Sequence, residues 1–262
     1  MLEGQSLRAM DGPFAGSDDL RRTDLQRFFD DPTVRAVFAA RGGYGCYRIA
    51  DDLDLTGLLT HPKWVVGFSD VTVLLSLLEK QGLASLHGLM PRQYADPDRA
   101  ESLESVRQWL FGEWPDFYST PAHPLNRPGQ VTGSLVGGNL TMLINSIGTP
   151  TDVNFSGKIL FIEDIDETLF SLDRMMTQLR RSGRLSSLAG LVAGQFTDMR
   201  DNRSLPFGKE AYEIIADAVS TYDFPVLIDF PAGHVTYNLA LPIGSRLTLT
   251  VQPESGQLYF YR

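Results

Sequence analysis

Several things are scarce in this chain. Among 262 residues there is one cysteine, so no intrachain disulfide can form, which suits a reducing compartment. Cys46 follows Tyr44-Gly45 and is expected to be a small buried hydrophobe in a packed turn, not a reactive thiol. The four histidines, His61, His87, His123 and His234, stand singly, and none has a neighbour at metal-ligand spacing. There is no basic run and the net charge is −9. Nucleic acid is therefore not an expected partner, and the acidic balance speaks mainly to solubility. No apolar run reaches the length of a membrane span, and the opening residues, Met1-Leu2-Glu3-Gly4-Gln5-Ser6, lack the apolar core of a signal peptide. The expectation is a soluble cytoplasmic protein with no membrane partner.

What is present is ordinary globular composition, 43% hydrophobic and 21% charged, in a length that suits one large domain or two modest ones. One stretch organises the rest: Trp64-Val65-Val66-Gly67-Phe68-Ser69-Asp70-Val71-Thr72-Val73-Leu74-Leu75. It reads as a buried strand that turns at Ser69 into an apolar helix, with Val71, Leu74, Leu75 and Leu78 at helical spacing. A serine on such a corner presents its hydroxyl at the positive end of a helix, the geometry of a nucleophile elbow. It is equally the place of a plain helix cap, and Gly-Phe-Ser-Asp is not the usual Gly-x-Ser-x-Gly.

Along the chain, Ser17 with Asp18 and Asp19 signals a helix start, and Asp31-Pro32 its end. Residues 34–40 read as a buried strand running into Arg41-Gly42-Gly43-Tyr44-Gly45. Three glycines after a strand mark either a tight turn or a backbone wall against a ligand. Helices are expected over 47–53 and 101–111, and a short strand over 82–88. Its His87 comes near the serine if the strands are parallel, or is simply structural. Prolines 115, 121, 124 and 128 give residues 116–132 the composition of a linker. This divides the chain into an N-terminal α/β domain (1–115) and a C-terminal domain (133–262). Beyond the boundary, residues 157–164 form the clearest strand, ending in Glu163-Asp164. Residues 226–230 form another, running into Pro231-Ala232-Gly233-His234, and residues 247–251 and 257–261 pair as antiparallel strands.

Ser69, Glu163 and His234 thus stand at the C-terminal ends of apolar strands, where open α/β sheets place their sites. A serine nucleophile needs a histidine base and a carboxylate to orient it. Taken singly, Glu163 also reads as a solvated strand end and His234 as a turn histidine.

Seven motifs, in order along nearly the whole chain, resemble the LD-carboxypeptidase family of serine peptidases, which includes the microcin-immunity peptidases. They are Phe14-Ala15-Gly16-Ser17-Asp18, Ala40-Arg41-Gly42-Gly43-Tyr44-Gly45, Gly67-Phe68-Ser69-Asp70-Val71-Thr72, His87-Gly88, Gly137-Gly138-Asn139-Leu140, Phe161-Ile162-Glu163-Asp164, and Phe230-Pro231-Ala232-Gly233-His234 with Asn238. The resemblance implies an N-terminal parallel-sheet α/β domain carrying the nucleophile and a C-terminal domain, with a β-rich core and helices, carrying the acid and base. It implies Ser69 as nucleophile, His234 as general base then acid, and Glu163 as its orienting partner, with Glu167 a nearby rival. The N–H groups of Asp70 and Gly43 would form the oxyanion hole. No metal or cofactor is implied. The substrate would be a murein tetrapeptide losing its terminal D-alanine during peptidoglycan recycling, and the assembly a homodimer. Family members usually begin with a further strand and helix, so the N-terminal sheet is expected to lack them. Two other expectations stand beside this one: an immunity-type peptidase cleaving an aminoacyl-nucleotide, and a truncated inactive paralogue that only binds murein peptide.

Overall fold

The computed structural model describes residues 1–261. Helix α1 (Asp18–Asp30) starts where the sequence signals it. The Ser17 hydroxyl accepts from the Leu20 N–H at 3.2 Å, and Asp18 and Asp19 occupy the first turn, where the helix dipole favours negative charge. Strand β1 (Ala36–Phe38), helices α2 (Tyr47–Ala50) and α3 (Thr56–Thr60), strand β2 (Trp64–Gly67), helix α4 (Thr72–Lys80) and strand β3 (Ser85–His87) follow, then helix α5 (Ala100–Phe111). The rest comprises β4 (Phe117–Pro121), β5 (Gly129–Asn139), α6 (Leu140–Ser146), β6 (Ile159–Ile165), α7 (Leu169–Arg181), β7 (Gly190–Thr197), α8 (Ala211–Ala218), β8 (Val226–Leu227), β9 (Leu241–Ile243), β10 (Arg246–Val251) and β11 (Ser255–Phe260).

These strands make two sheets in a mixed α/β fold. The first has the order β1-β2-β3-β9, with β1, β2 and β3 parallel and β9 antiparallel to β3. The second has seven strands in the order β4-β11-β10-β5-β6-β7-β8. Its β5 to β8 half is parallel, and its β4-β11-β10-β5 half antiparallel.

Residues 116–132 are not the irregular linker that their prolines suggest. They contain β4, paired with β11 over Phe117–Pro121, and the first residues of β5, paired with β10 from Gly129. Proline removes a ladder donor, but at the end of an edge strand that loss costs little, and Pro121 stands there. Strand β9 crosses the division in the other direction, since a late segment completes the first sheet beside β3.

Alternation along β6 sorts its side chains between two cores. Ile159 and Phe161 join the apolar cluster between the sheets, with Val66, Leu86 and Leu241. Leu160 and Ile162 face the cluster under α6, α7 and α8, with Leu172, Met176 and Ile215. Each such fully buried side chain is worth about 1.5–3 kcal/mol. Because successive residues alternate, Glu163 follows Phe161 toward the first sheet, and Asp164 follows Ile162 away from it.

Candidate active site

The corner after β2 is strained. Gly67 ends the strand, and Ser69–Val71 form a 3-10 turn that leads into α4. Ser69 has φ 65°, in the left-handed region that costs a non-glycine residue of order 1–3 kcal/mol. Neither the 3-10 turn nor α4 receives a side-chain capping hydrogen bond. The plain cap is therefore not what this serine does. It is half-exposed and lines an open cleft of about 430 Å³.

The glycine loop after β1 forms the adjoining wall. Gly42 passes so close that a Cβ there would stand 3.2 Å from Ser69 Oγ and 3.0 Å from Ser69 Cβ. The buried Asp70 carboxylate ties this loop to the corner, accepting from the Cys46 N–H at 2.9 Å. Burial, with Asp70 beside it, pushes the Cys46 thiol well above its ordinary pKa, so it stays protonated. Gly42 and Gly43 both line the cleft, and among the described residues the Gly43 N–H has no hydrogen-bond partner.

Glu163 and His234 meet across the loop that follows β8. His234 Nδ1 lies 2.7 Å from Glu163 Oε2, and Glu163 is fully buried. Burial disfavours the imidazolium, but the hydrogen bond and charge of Glu163 outweigh it and hold the His234 pKa above its ordinary value. Gly233 permits this approach, since a Cβ there would stand 3.0 Å from Glu163 Oε2. Glu167 makes no such contact; it accepts from the Thr141 hydroxyl at 3.3 Å.

Helix α5 and Asn238 hold the histidine loop. Ser102 Oγ donates to the Thr236 carbonyl at 2.9 Å and accepts from the Asn238 N–H at 2.8 Å. Arg99 Nη1 donates to the Val235 carbonyl at 2.7 Å, and the Gly233 N–H donates to Asn238 Oδ1 at 2.9 Å. A second cluster braces the end of β6. Asp164 accepts from Asn139 Nδ2, from the Thr141 N–H and hydroxyl, and from the Ile165 N–H. Burial, then the neighbouring Glu163 charge, raises its pKa to about 6. The Asn139 N–H donates to Thr72 Oγ1 at 3.0 Å, joining the end of β5 to the helix that begins beside Ser69.

The structure thus gathers Ser69 and His234 on one cleft with Glu163 beneath the histidine, while Asp70 and Gly43 flank the serine. His87 is separate from this set. It lies on β3 opposite Gly67, fully buried, with its ring against Phe68 at 5.5 Å and Phe161 at 5.0 Å. Burial lowers its pKa to about 4, so it is neutral, and neither ring nitrogen has a partner among the described residues. The bracing by Arg99 and Ser102 was missed from sequence. Both lie at the start of an ordinary amphipathic helix, and nothing local marks which loop that helix will meet. Among the described residues no cluster of metal-ligating side chains occurs, and no helix is long and apolar enough to cross a membrane.

Two family models match the chain, one on each side of residues 89–131. Residues 1–88 match the family model described as the LD-carboxypeptidase N-terminal domain, and residues 132–249 the one described as the LD-carboxypeptidase C-terminal domain. The chain belongs to the LD-carboxypeptidase family and is a serine-type carboxypeptidase hydrolase. It is 35% identical over 260 residues to a probable murein peptide carboxypeptidase of Bacillus subtilis, covering 97% of this chain and 80% of that one. It is 32% identical over 259 residues to the murein tetrapeptide carboxypeptidase of Pseudomonas aeruginosa, covering 94% and 82%. Among solved structures, the muramoyltetrapeptide carboxypeptidase of Oxalobacter formigenes superposes with a TM-score of 0.85 at 31% identity, covering 97% of this chain and 89% of that chain.

Proposed function

We propose that this protein hydrolyses the amide joining a terminal D-amino acid to a murein tetrapeptide, releasing D-alanine, through an acyl-enzyme. The observation that carries the reading is the Glu163–His234 hydrogen bond in the cleft lined by Ser69. Ser69 Oγ attacks the scissile carbonyl while His234 takes its proton. Glu163 keeps the imidazole in the tautomer that carries its proton on Nδ1 and stabilises the cation that forms. The Asp70 and Gly43 N–H groups receive the charge that develops on the carbonyl oxygen. His234 then protonates the departing amine, and water, deprotonated by the same histidine, releases the acyl group from Ser69. The strain at Ser69 supports this role, because a left-handed serine persists only where its surroundings over-determine it.

Peptide is favoured over an aminoacyl-nucleotide by the tryptophans. Trp109 stacks on Trp114 at 5.1 Å and meets Phe260 edge-on. Neither lines the cleft, nor does Trp64, so none is placed to stack on a base. With the reading goes the expectation of a cytoplasmic homodimer in peptidoglycan recycling. The test is release of D-alanine from purified murein tetrapeptide, followed by mass spectrometry for the parent and for Ser69→Ala. Release by the parent and its loss in the variant are expected. A folded parent that releases nothing overturns the proposal in favour of a chain that only binds.

A further inference from the structure

The proposed cleavage leaves one part of the substrate without a partner. A peptide that loses a single C-terminal residue presents a free carboxylate two bonds from the nitrogen that departs. That carboxylate lies beside the nucleophile, on the leaving-group side. Ser69 and His234 are occupied by the reacting bond, and Glu163 is itself an anion. Recognition of this carboxylate must come from the cleft wall.

The wall has an unusual charge for this protein. The chain carries a net charge of −9, yet three arginines, Arg41, Arg92 and Arg99, line the cleft against one carboxylate, Asp96. Arg99 is already committed: it pairs with Asp96 at 3.0 Å and holds the Val235 carbonyl. Arg41 and Arg92 have no ion-pair partner among the described residues. They also lie side by side on the backbone, because the Arg92 N–H donates to the carbonyl of Ala40, the residue before Arg41, at 3.0 Å. Arg41 precedes Gly42, whose backbone abuts Ser69, and its Nε donates to the Gly42 carbonyl at 3.0 Å. The other guanidinium donors of Arg41 stay free for a ligand among the described residues.

On the reading that the chain cleaves a C-terminal residue, we infer that Arg41 and Arg92 form the subsite for the free α-carboxylate of the peptide, and so make the protein an exopeptidase. Guanidinium matches carboxylate in a planar, forked geometry, and such charge-assisted bonds are stronger than neutral ones. A peptide with its carboxylate amidated, or extended by another residue, would leave two guanidinia facing a neutral group.

The experiment compares kcat/KM for murein tetrapeptide with a free C-terminus and with a C-terminal carboxamide, in the parent, Arg41→Gln and Arg92→Gln. Both side chains are exposed, so the variants should fold; circular dichroism and melting temperature check this. The parent is expected to prefer the free acid by about 100-fold or more, because hydrogen bonds to a charged group are stronger than those to a neutral one. Each substitution is expected to reduce that acid-to-amide ratio by about 10-fold or more, with most of the loss in KM. Equal turnover of acid and amide by the parent overturns the inference while leaving the hydrolytic reading standing. So does a parental ratio retained in both variants. No turnover of either peptide overturns the hydrolytic reading, and the inference with it.

Discussion

The two halves of the site are held by different physics. The serine side rests on a small sheet, whose strands β1, β2, β3 and β9 run three to four residues each. Its reactive geometry comes from a strained corner, a glycine loop pressed against it, and one carboxylate, Asp70, pinning the two together. The acid–base side rests inside a seven-stranded sheet. Glu163 there is fully buried on β6, between neighbours β5 and β7, and the histidine is carried on a loop clamped by α5. On the proposed mechanism the contrast has a reason: a nucleophile must be presented to substrate, which suits the sharp corner at Ser69, and an orienting carboxylate must stay fixed and desolvated, which suits the buried Glu163. The contrast predicts that serine-side substitutions change chemistry with little change in stability, whereas acid-side substitutions change both.

The largest effect is expected at the corner itself. Ser69→Ala should lower kcat by about 10⁶-fold and leave the melting temperature level or slightly raised. A residual rate within a hundredfold of the parent would show that the chemistry lies elsewhere. Next comes Glu163→Gln, which keeps shape but favours the wrong histidine tautomer, at a cost of about 10⁴-fold in kcat. It also bears on pH. With Glu163 in place the His234 pKa is raised, so the neutral, proton-accepting imidazole appears only above the ordinary histidine value, and the acid limb of kcat/KM should lie above 6.5. Removing the Glu163 anion leaves burial, which disfavours the cation, opposed only by the smaller pull of the Asp164 charge, so the limb should move to lower pH. A limb at the same pH in parent and variant would separate the pair functionally, whatever its geometry.

Stability follows the same shift. His234 binds its proton more tightly folded than unfolded, so this contribution is fully present below the unfolded value. It is lost as pH rises through the folded one. Glu163→Gln should therefore flatten the fall in stability across that window, read from urea midpoints at a series of pH values.

A middle-sized effect is expected for Asp70→Ala, which frees the glycine loop from the corner. A loss of about 10- to 100-fold in kcat is expected from misplacement of the wall beside the serine, and a rate equal to the parent's would show that the loop is held by other means. The smallest effect is expected at His87. Both its ring nitrogens are buried without a partner among the described residues, so His87→Leu removes polar groups that gain nothing. Stability should stay within about 1 kcal/mol of the parent or rise, with activity little changed. A loss of several orders of magnitude in rate would mean that this histidine takes part in the chemistry.

Much of this contrast was legible in the sequence, and the illegible parts share a cause. Sequence pattern located α1, α4, α5 and β6 within a residue or two, because the helices space their apolar residues helically and β6 is an unbroken apolar run that stops at two carboxylates. Strands β4 and β9 were not visible. Each is short and contains a proline, Pro121 or Pro242, and each exists only because a distant strand, β11 or β3, offers its ladder. The same holds for β8, read as five residues but only two long where β7 pairs with it. At the site, Ser69, Glu163 and His234 could be named because strand ends and glycine turns mark them locally. The choice of Glu163 over Glu167 rested on resemblance alone, until strand alternation and the 2.7 Å contact with His234 gave it a geometry.

Sequence alone therefore determined the longer helices, strand β6, the glycine turns and the family, since all of these depend on residues close together along the chain. Tertiary structure decided which strand ends face one another, that Ser69 is strained and caps nothing, that Glu163 is buried and His87 neutral, and that Arg41 and Arg92 line the Ser69 cleft with no ion-pair partner among the described residues. Those properties arise from burial and Coulomb interaction between segments remote in sequence, and neither quantity exists before the chain has folded.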